Sequence, residues 1–175
     1  MPITRRDVLK GTAALSVLGA TPNLSIAQIN LGQATLSTVS DGNLVLPGDF
    51  IFQSVPQDDL APILTQFNLS RDQLTPECNL ALYQNGENNI LFDVGSGPDF
   101  MPSAGMIVDS LESLGLSPED ITHLVFTHAH PDHLWGLLDD FDDPLFSEAR
   151  YLIGQDEWDY WWNPNTVDGL SDSLK

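Results

Sequence analysis

A mostly apolar run, residues 121–126, leads straight into Thr127-His128-Ala129-His130-Pro131-Asp132-His133. Three of the chain's four histidines fall in that segment, with an aspartate among them. A run of this length reads as a buried strand, so the histidines emerge where the strand ends. In an extended segment, residues two apart point the same way, which puts His128 and His130 on one face. Pro131 reinforces this by biasing His130 toward an extended backbone. Asp132 and His133 follow after the chain turns, within reach of the same region. Imidazole and carboxylate groups are the side chains that hold zinc and similar divalent ions, so all four residues are candidate ligands. His123 lies inside the strand, five residues before His128 and opposite in facing, and reads as a structural or edge residue.

The surrounding pattern supplies a frame for this segment. Residues 79–83 and 90–94 are two β runs joined as a hairpin, and the second ends in Asp93-Val94-Gly95-Ser96-Gly97. A helix is predicted over 104–114, with Ile107, Leu111 and Leu114 as its apolar stripe and Gly115 just past its end. Strand, helix, strand makes a βαβ-like unit, and open α/β sheets carry their sites at the C-terminal ends of such strands. Upstream, residues 34–39 alternate like a half-buried strand, Asp41-Gly42 signals a turn, and 43–46 would return. A helix over 58–67 presents Leu60, Ile63, Leu64 and Phe67 on one side. Downstream, helical spacing resumes at Leu134, Leu137 and Leu138, which places Asp132 near a helix start, while Gly136 permits close backbone packing. The acidic run 139–143 lacks the spacing of a calcium loop and reads as a solvated loop. Residues 150–153 form a short strand. A helix follows over 155–162, with Trp158, Trp161 and Trp162 grouped on one side as core.

The H-x-H-x-D-H spacing at His128, His130, Asp132 and His133, set at a strand end and followed by Leu134-Trp135-Gly136, resembles the metallo-β-lactamase-fold hydrolases. That resemblance implies an α/β (α+β) fold, half of an αβ/βα sandwich built on one mixed sheet with flanking helices. It further implies two divalent metal ions, zinc first and iron or manganese as alternatives. His128 and His130 would hold one ion, and Asp132 and His133 would help hold the other. Asp93 would stand behind these ligands and orient their loop. A hydroxide between the metals would attack a lactone, an amide or a phosphotriester, with Asp132 orienting it or moving a proton. Trp161 and Trp162 would wall the substrate pocket. The family's second half supplies further histidines, yet no histidine follows His133. Residues 28–175 are therefore expected to be the truncated N-terminal part of such a domain. Two readings stand beside the hydrolase: a non-catalytic metal-binding fragment, and a mononuclear iron oxidoreductase on the same fold.

The first 27 residues read as an export signal. Thr4-Arg5-Arg6-Asp7-Val8-Leu9-Lys10 resembles the twin-arginine motif, and Ser25-Ile26-Ala27 is a small-x-small cleavage site. A periplasmic or secreted location follows, with no stable membrane anchor, since the weakly apolar stretch is short and interrupted. The formal net charge is -19, with only six Lys and Arg. That balance excludes a basic nucleic-acid face, and the family resemblance implies a small-molecule substrate. Cys78 is the single cysteine, so no intramolecular disulfide can form. Oligomeric state is not legible in the sequence.

Overall fold

The computed structural model describes residues 27–169. The expected signal segment thus lies outside the described residues, apart from Ala27 at its end. Among the described residues eight strands form in chain order: β1 (Gln28–Leu31), β2 (Ala34–Asn43), β3 (Leu46–Pro47), β4 (Gln73–Leu74), β5 (Glu77–Gln84), β6 (Asn89–Phe92), β7 (His123–Phe126) and β8 (Arg150–Ile153). Six of them make one mixed sheet in the order β1-β2-β5-β6-β7-β8, while β3 and β4 pair separately. The first half of the sheet is antiparallel, and β6, β7 and β8 run parallel. The helices are α1 (Gly48–Phe52), α2 (Gln57–Phe67), α3 (Ile107–Ser113), α4 (Pro131–Leu134), α5 (Gln155–Trp162) and α6 (Pro164–Gly169). This is the α/β arrangement the sequence predicts, with helices flanking one mixed sheet. Among the described residues no helix is long and apolar enough to cross a membrane.

The core lies where α3 packs on the sheet. Ile107 and Leu111 of α3 meet Val39, Leu80, Leu82, Leu91 and Leu124, all buried, with Ile121 and Phe146 closing the edges. The predicted α3 stripe is therefore correct, although the helix starts at Ile107 rather than 104. Its end follows the sequence signal closely. Gly115 takes a φ of 75°, its N–H donates to Glu112 O, and the Leu116 N–H donates to Leu111 O. These two bonds satisfy carbonyls that the helix itself leaves open.

Two sequence expectations fail for tertiary reasons. Asp41-Gly42 is not a hairpin turn: β2 continues through it with a bulge between Ser40 and Asn43. The Asp41 side chain is fully buried and accepts from Ser96 N–H, Ser96 Oγ–H and Ile107 N–H at 2.8, 2.9 and 3.1 Å. Gly42, at a φ of 93°, lies so close to Ser103 O that a Cβ there would collide with it. In α2, only half of the predicted stripe is buried. Leu60 and Leu64 are covered, whereas Ile63 and Phe67 are exposed.

Gly136 bears out the close packing read from the sequence. A Cβ on it would run into the carbonyl of Val94, and its own N–H donates to Gly95 O. This contact holds the segment after the histidines against the end of β6. Gly136→Ala is expected to destabilise the fold by about 1–3 kcal/mol, the usual cost of overpacking. Urea denaturation would measure it; a midpoint unchanged from the parent would show that the contact can relax freely.

Candidate active site

The three parallel strands deliver their C-terminal ends to one place. Asp93 follows β6, the segment 127–133 follows β7, and α5 follows β8. His130 has φ -73° and ψ 154°, the extended conformation that Pro131 imposes, and α4 starts at Pro131 with Asp132 in its first turn. The imidazoles converge as the i, i+2 spacing requires. The His128 ring lies 4.6 Å from that of His130 and 4.0 Å from that of His133, centroid to centroid. His133 Nε2 is 3.4 Å from Asp132 Oδ2. His123 opens β7 at the opposite end, its Nδ1 bonded with Thr122 Oγ1.

Asp93 organises this group from behind. It is buried and takes a φ of 64°. Its Oδ1 accepts the Thr127 N–H at 2.7 Å, and its Oδ2 accepts the Thr127 hydroxyl and His133 Nδ1, both at 2.8 Å. An ionised carboxylate only accepts, and this fixes the protons of its neighbours in turn. His133 carries its hydrogen on Nδ1. Thr127 gives its hydroxyl hydrogen to Asp93, so its oxygen accepts from His128 Nδ1 at 3.0 Å. His128 Nε2 and His130 Nδ1 share a further hydrogen bond at 3.1 Å. One buried carboxylate thus places the Nδ1 hydrogens of His133 and His128. His130 Nε2 has no partner within the cluster, and His133 Nε2 faces Asp132 Oδ2 at 3.4 Å.

This arrangement corrects the expected cofactor. Among the described residues no group of three or more His, Cys, Asp or Glu side chains is placed to hold a metal ion. The expectation of two divalent ions, zinc or otherwise, is overturned on that ground. The physical reason lies in the donor atoms. His128 Nε2 is turned onto His130 Nδ1, and the remaining donors are not brought together in the set of three or more that a zinc takes. Elemental analysis of the dialysed chain is accordingly expected to find far less than one zinc per molecule. One or two tightly held equivalents would contradict this.

Glu157 on α5 was not singled out by sequence reasoning. Its Oε1 accepts the Ala129 N–H at 2.8 Å and the Trp161 indole N–H at 2.7 Å. These two bonds hold its carboxyl below the ordinary glutamate range. Its spacing to Trp161, four residues, was readable in the sequence; its bond to Ala129 was not. Trp161 lies 6.5 Å from His130, ring to ring. It lines an apolar groove of about 360 Å³ together with Trp158, Trp162, Phe126 and Leu134. The tryptophans are not core, as the sequence suggested. Trp158 stacks on Trp162 at 4.9 Å, and Trp162 is 73% exposed. A second cavity, about 240 Å³, has Cys78, Asp93, Asp132 and His133 in its wall. Burial pushes the Cys78 thiol up, and the Asp41 and Asp132 carboxylates add to the effect.

Comparison with known proteins places this geometry. A model of the metallo-beta-lactamase superfamily matches residues 76–139. Metallo-beta-lactamase domain-containing protein 1 of Xenopus laevis is 38% identical over 56 residues, 32% of this chain and 22% of that protein. Among solved structures, AidC, described as a dizinc quorum-quenching lactonase in complex with a product, superposes with a TM-score of 0.74 at 29% identity. The match covers 86% of this chain and 51% of AidC. The hydrolase AbOPH of the beta-lactamase superfamily gives 0.72 at 25% identity, covering 85% of this chain and 50% of its own. This chain therefore spans about half the length of these solved relatives. Its mixed sheet and flanking helices match half of the metallo-β-lactamase αβ/βα sandwich.

Proposed function

We propose that this chain is the N-terminal half of a hydrolase acting on a small carbonyl or phosphoryl ester, with lactones as the leading substrate class. His128, His130, Asp132 and His133 are its polar centre. The observation that carries the reading is the convergence of three imidazoles and a carboxylate at the ends of three parallel strands. Relatives described as a lactonase and a hydrolase support the class.

The chain's own groups suit proton transfer to and from water. His133 is held through Nδ1 by Asp93, which turns its Nε2 toward Asp132. A water within reach of both loses its proton to one of them as its oxygen attacks the ester carbon. The bond to the leaving oxygen then breaks, and the same base returns the proton to that oxygen, opening a lactone to a hydroxy acid. The remaining contacts to the substrate, including donors to the developing oxyanion, would come from the part of the fold that lies outside the half matched in these relatives.

The test is hydrolysis of an N-acyl homoserine lactone and a phosphotriester, followed by pH-stat. Asp132→Asn and His133→Ala are each expected to lower turnover by about 10²–10⁴-fold, the usual weight of a positioned acid or base. Turnover retained in both variants would sink the assignment. No turnover by the parent chain would instead favour the non-catalytic reading.

A further inference from the structure

We propose that Glu157 is a positioning residue, whose single carboxylate oxygen ties the backbone between His128 and His130 to the indole that borders the apolar groove. The functional weight of this tie rests on the hydrolase reading above; its geometry does not. The Ala129 N–H lies between the two histidines and outside any strand or helix ladder, so its partner must come from elsewhere. Glu157 Oε1 is that partner at 2.8 Å, across 28 residues of sequence. The same oxygen takes the Trp161 indole hydrogen at 2.7 Å. One atom thus fixes both the histidine-bearing backbone and the aromatic wall 6.5 Å from the His130 ring.

The arrangement has an internal logic. A loop carrying two functional rings needs its backbone held, because a displacement of about an ångström in a reacting group costs on the order of a hundredfold in rate. Glu157 lies in the first turn of α5, where a carboxylate is favoured by the helix dipole. Its place on α5 also means that motion of the tryptophan-lined groove would reach the histidines through this oxygen. Occupation of the groove by an apolar group is thereby coupled to the alignment of His128 and His130.

Amide and indole hydrogen exchange, read by ¹⁵N NMR on the full chain, tests the tie without any reference to activity. Glu157→Ala is expected to speed exchange at both the Ala129 amide and the Trp161 indole by at least about tenfold, with other core amides unchanged. Glu157→Gln keeps a carbonyl oxygen in the same place and is expected to restore much of the protection. Trp161→Phe removes only the indole and should leave the Ala129 amide protected, which keeps the test informative if the alanine variant folds poorly. Unchanged exchange at Ala129 in Glu157→Ala, or equal loss in the glutamine and alanine variants, would overturn the proposal. In a lactone assay, Glu157→Ala should lower kcat with little change in KM, whereas Trp161→Phe should chiefly raise KM. No turnover by the parent chain favours the non-catalytic reading, while the exchange result still decides the tie.

Discussion

Asp93→Ala is expected to lower stability by about 3 kcal/mol and to abolish any hydrolysis. Three donors converge on this carboxylate, the Thr127 N–H, the Thr127 hydroxyl and His133 Nδ1. A hydrogen bond to a charged group contributes about 1.5–3 kcal/mol, and the exposure of Thr127 lets water replace part of what is lost. Alanine would also have to adopt a φ of 64°, which Asp and Asn tolerate better than other side chains. The loss of function has a separate cause. Without an acceptor-only group behind them, Thr127 and the imidazoles of His128 and His133 have no fixed proton order. His133 could then carry its hydrogen on either nitrogen. Asp93→Asn separates the two effects: the residue tolerates the backbone, but its amide nitrogen presents a donor where a donor already stands. Denaturant melts should place it between the parent and the alanine variant, with the imidazole ¹⁵N shifts of His128 and His133 altered. Parent-like ring shifts in Asp93→Ala would show that the tautomers are set by something else.

Asp41→Ala should be the more destabilising change, by about 3–6 kcal/mol. Asp41 is fully buried, so no water can take over the Ser96 N–H, Ser96 Oγ–H and Ile107 N–H when the carboxylate is removed. Each buried donor left unpaired costs about 1–3 kcal/mol. One of the three, Ile107 N–H, belongs to the open N-terminus of α3. Met106 at that N-cap offers no side-chain bond of its own, so a residue from β2 supplies the cap. At roughly 2–4 °C per kcal/mol for a chain of this size, the thermal midpoint should fall by about 10 °C or more. A shift of a degree or two would mean that the three donors find other partners.

The two carboxylates do related work at adjoining points. Asp93 stands directly behind the histidines. Asp41 holds Ser96 in the loop that leaves β6, and that loop in turn receives the Gly136 N–H through Gly95 O. The histidine segment is therefore fastened at four places: at Asp93, at the Val94 N–H, which donates to His133 O, at the Gly95–Gly136 contact, and at Glu157.

What the sequence determined on its own was local. The period-2 alternation of β2, the stripe and Gly115 stop of α3, the bounds of β8 and α5, and the shared facing of His128 and His130 all follow from periodicities and turn chemistry. These act over a few residues, so a short window of sequence holds the whole cause. The family resemblance rested on the same short segment, and the sheet and helices agree with it; the two metal ions it implied are not supported by the donors present. The tertiary structure decided the rest. Asp41 looked like a turn residue because Asp-Gly usually is one, yet a buried cluster of donors from 55 and 66 residues away outweighs that local preference. The tryptophans looked like core because they are large and apolar, yet α5 leaves Trp158 and Trp162 open to solvent. Which nitrogen of His128 and of His133 carries its hydrogen, and which oxygen holds Ala129, depend on partners far along the chain. Hydrogen bonds between such distant groups are fixed only when the sheet brings the ends of β6, β7 and β8 together.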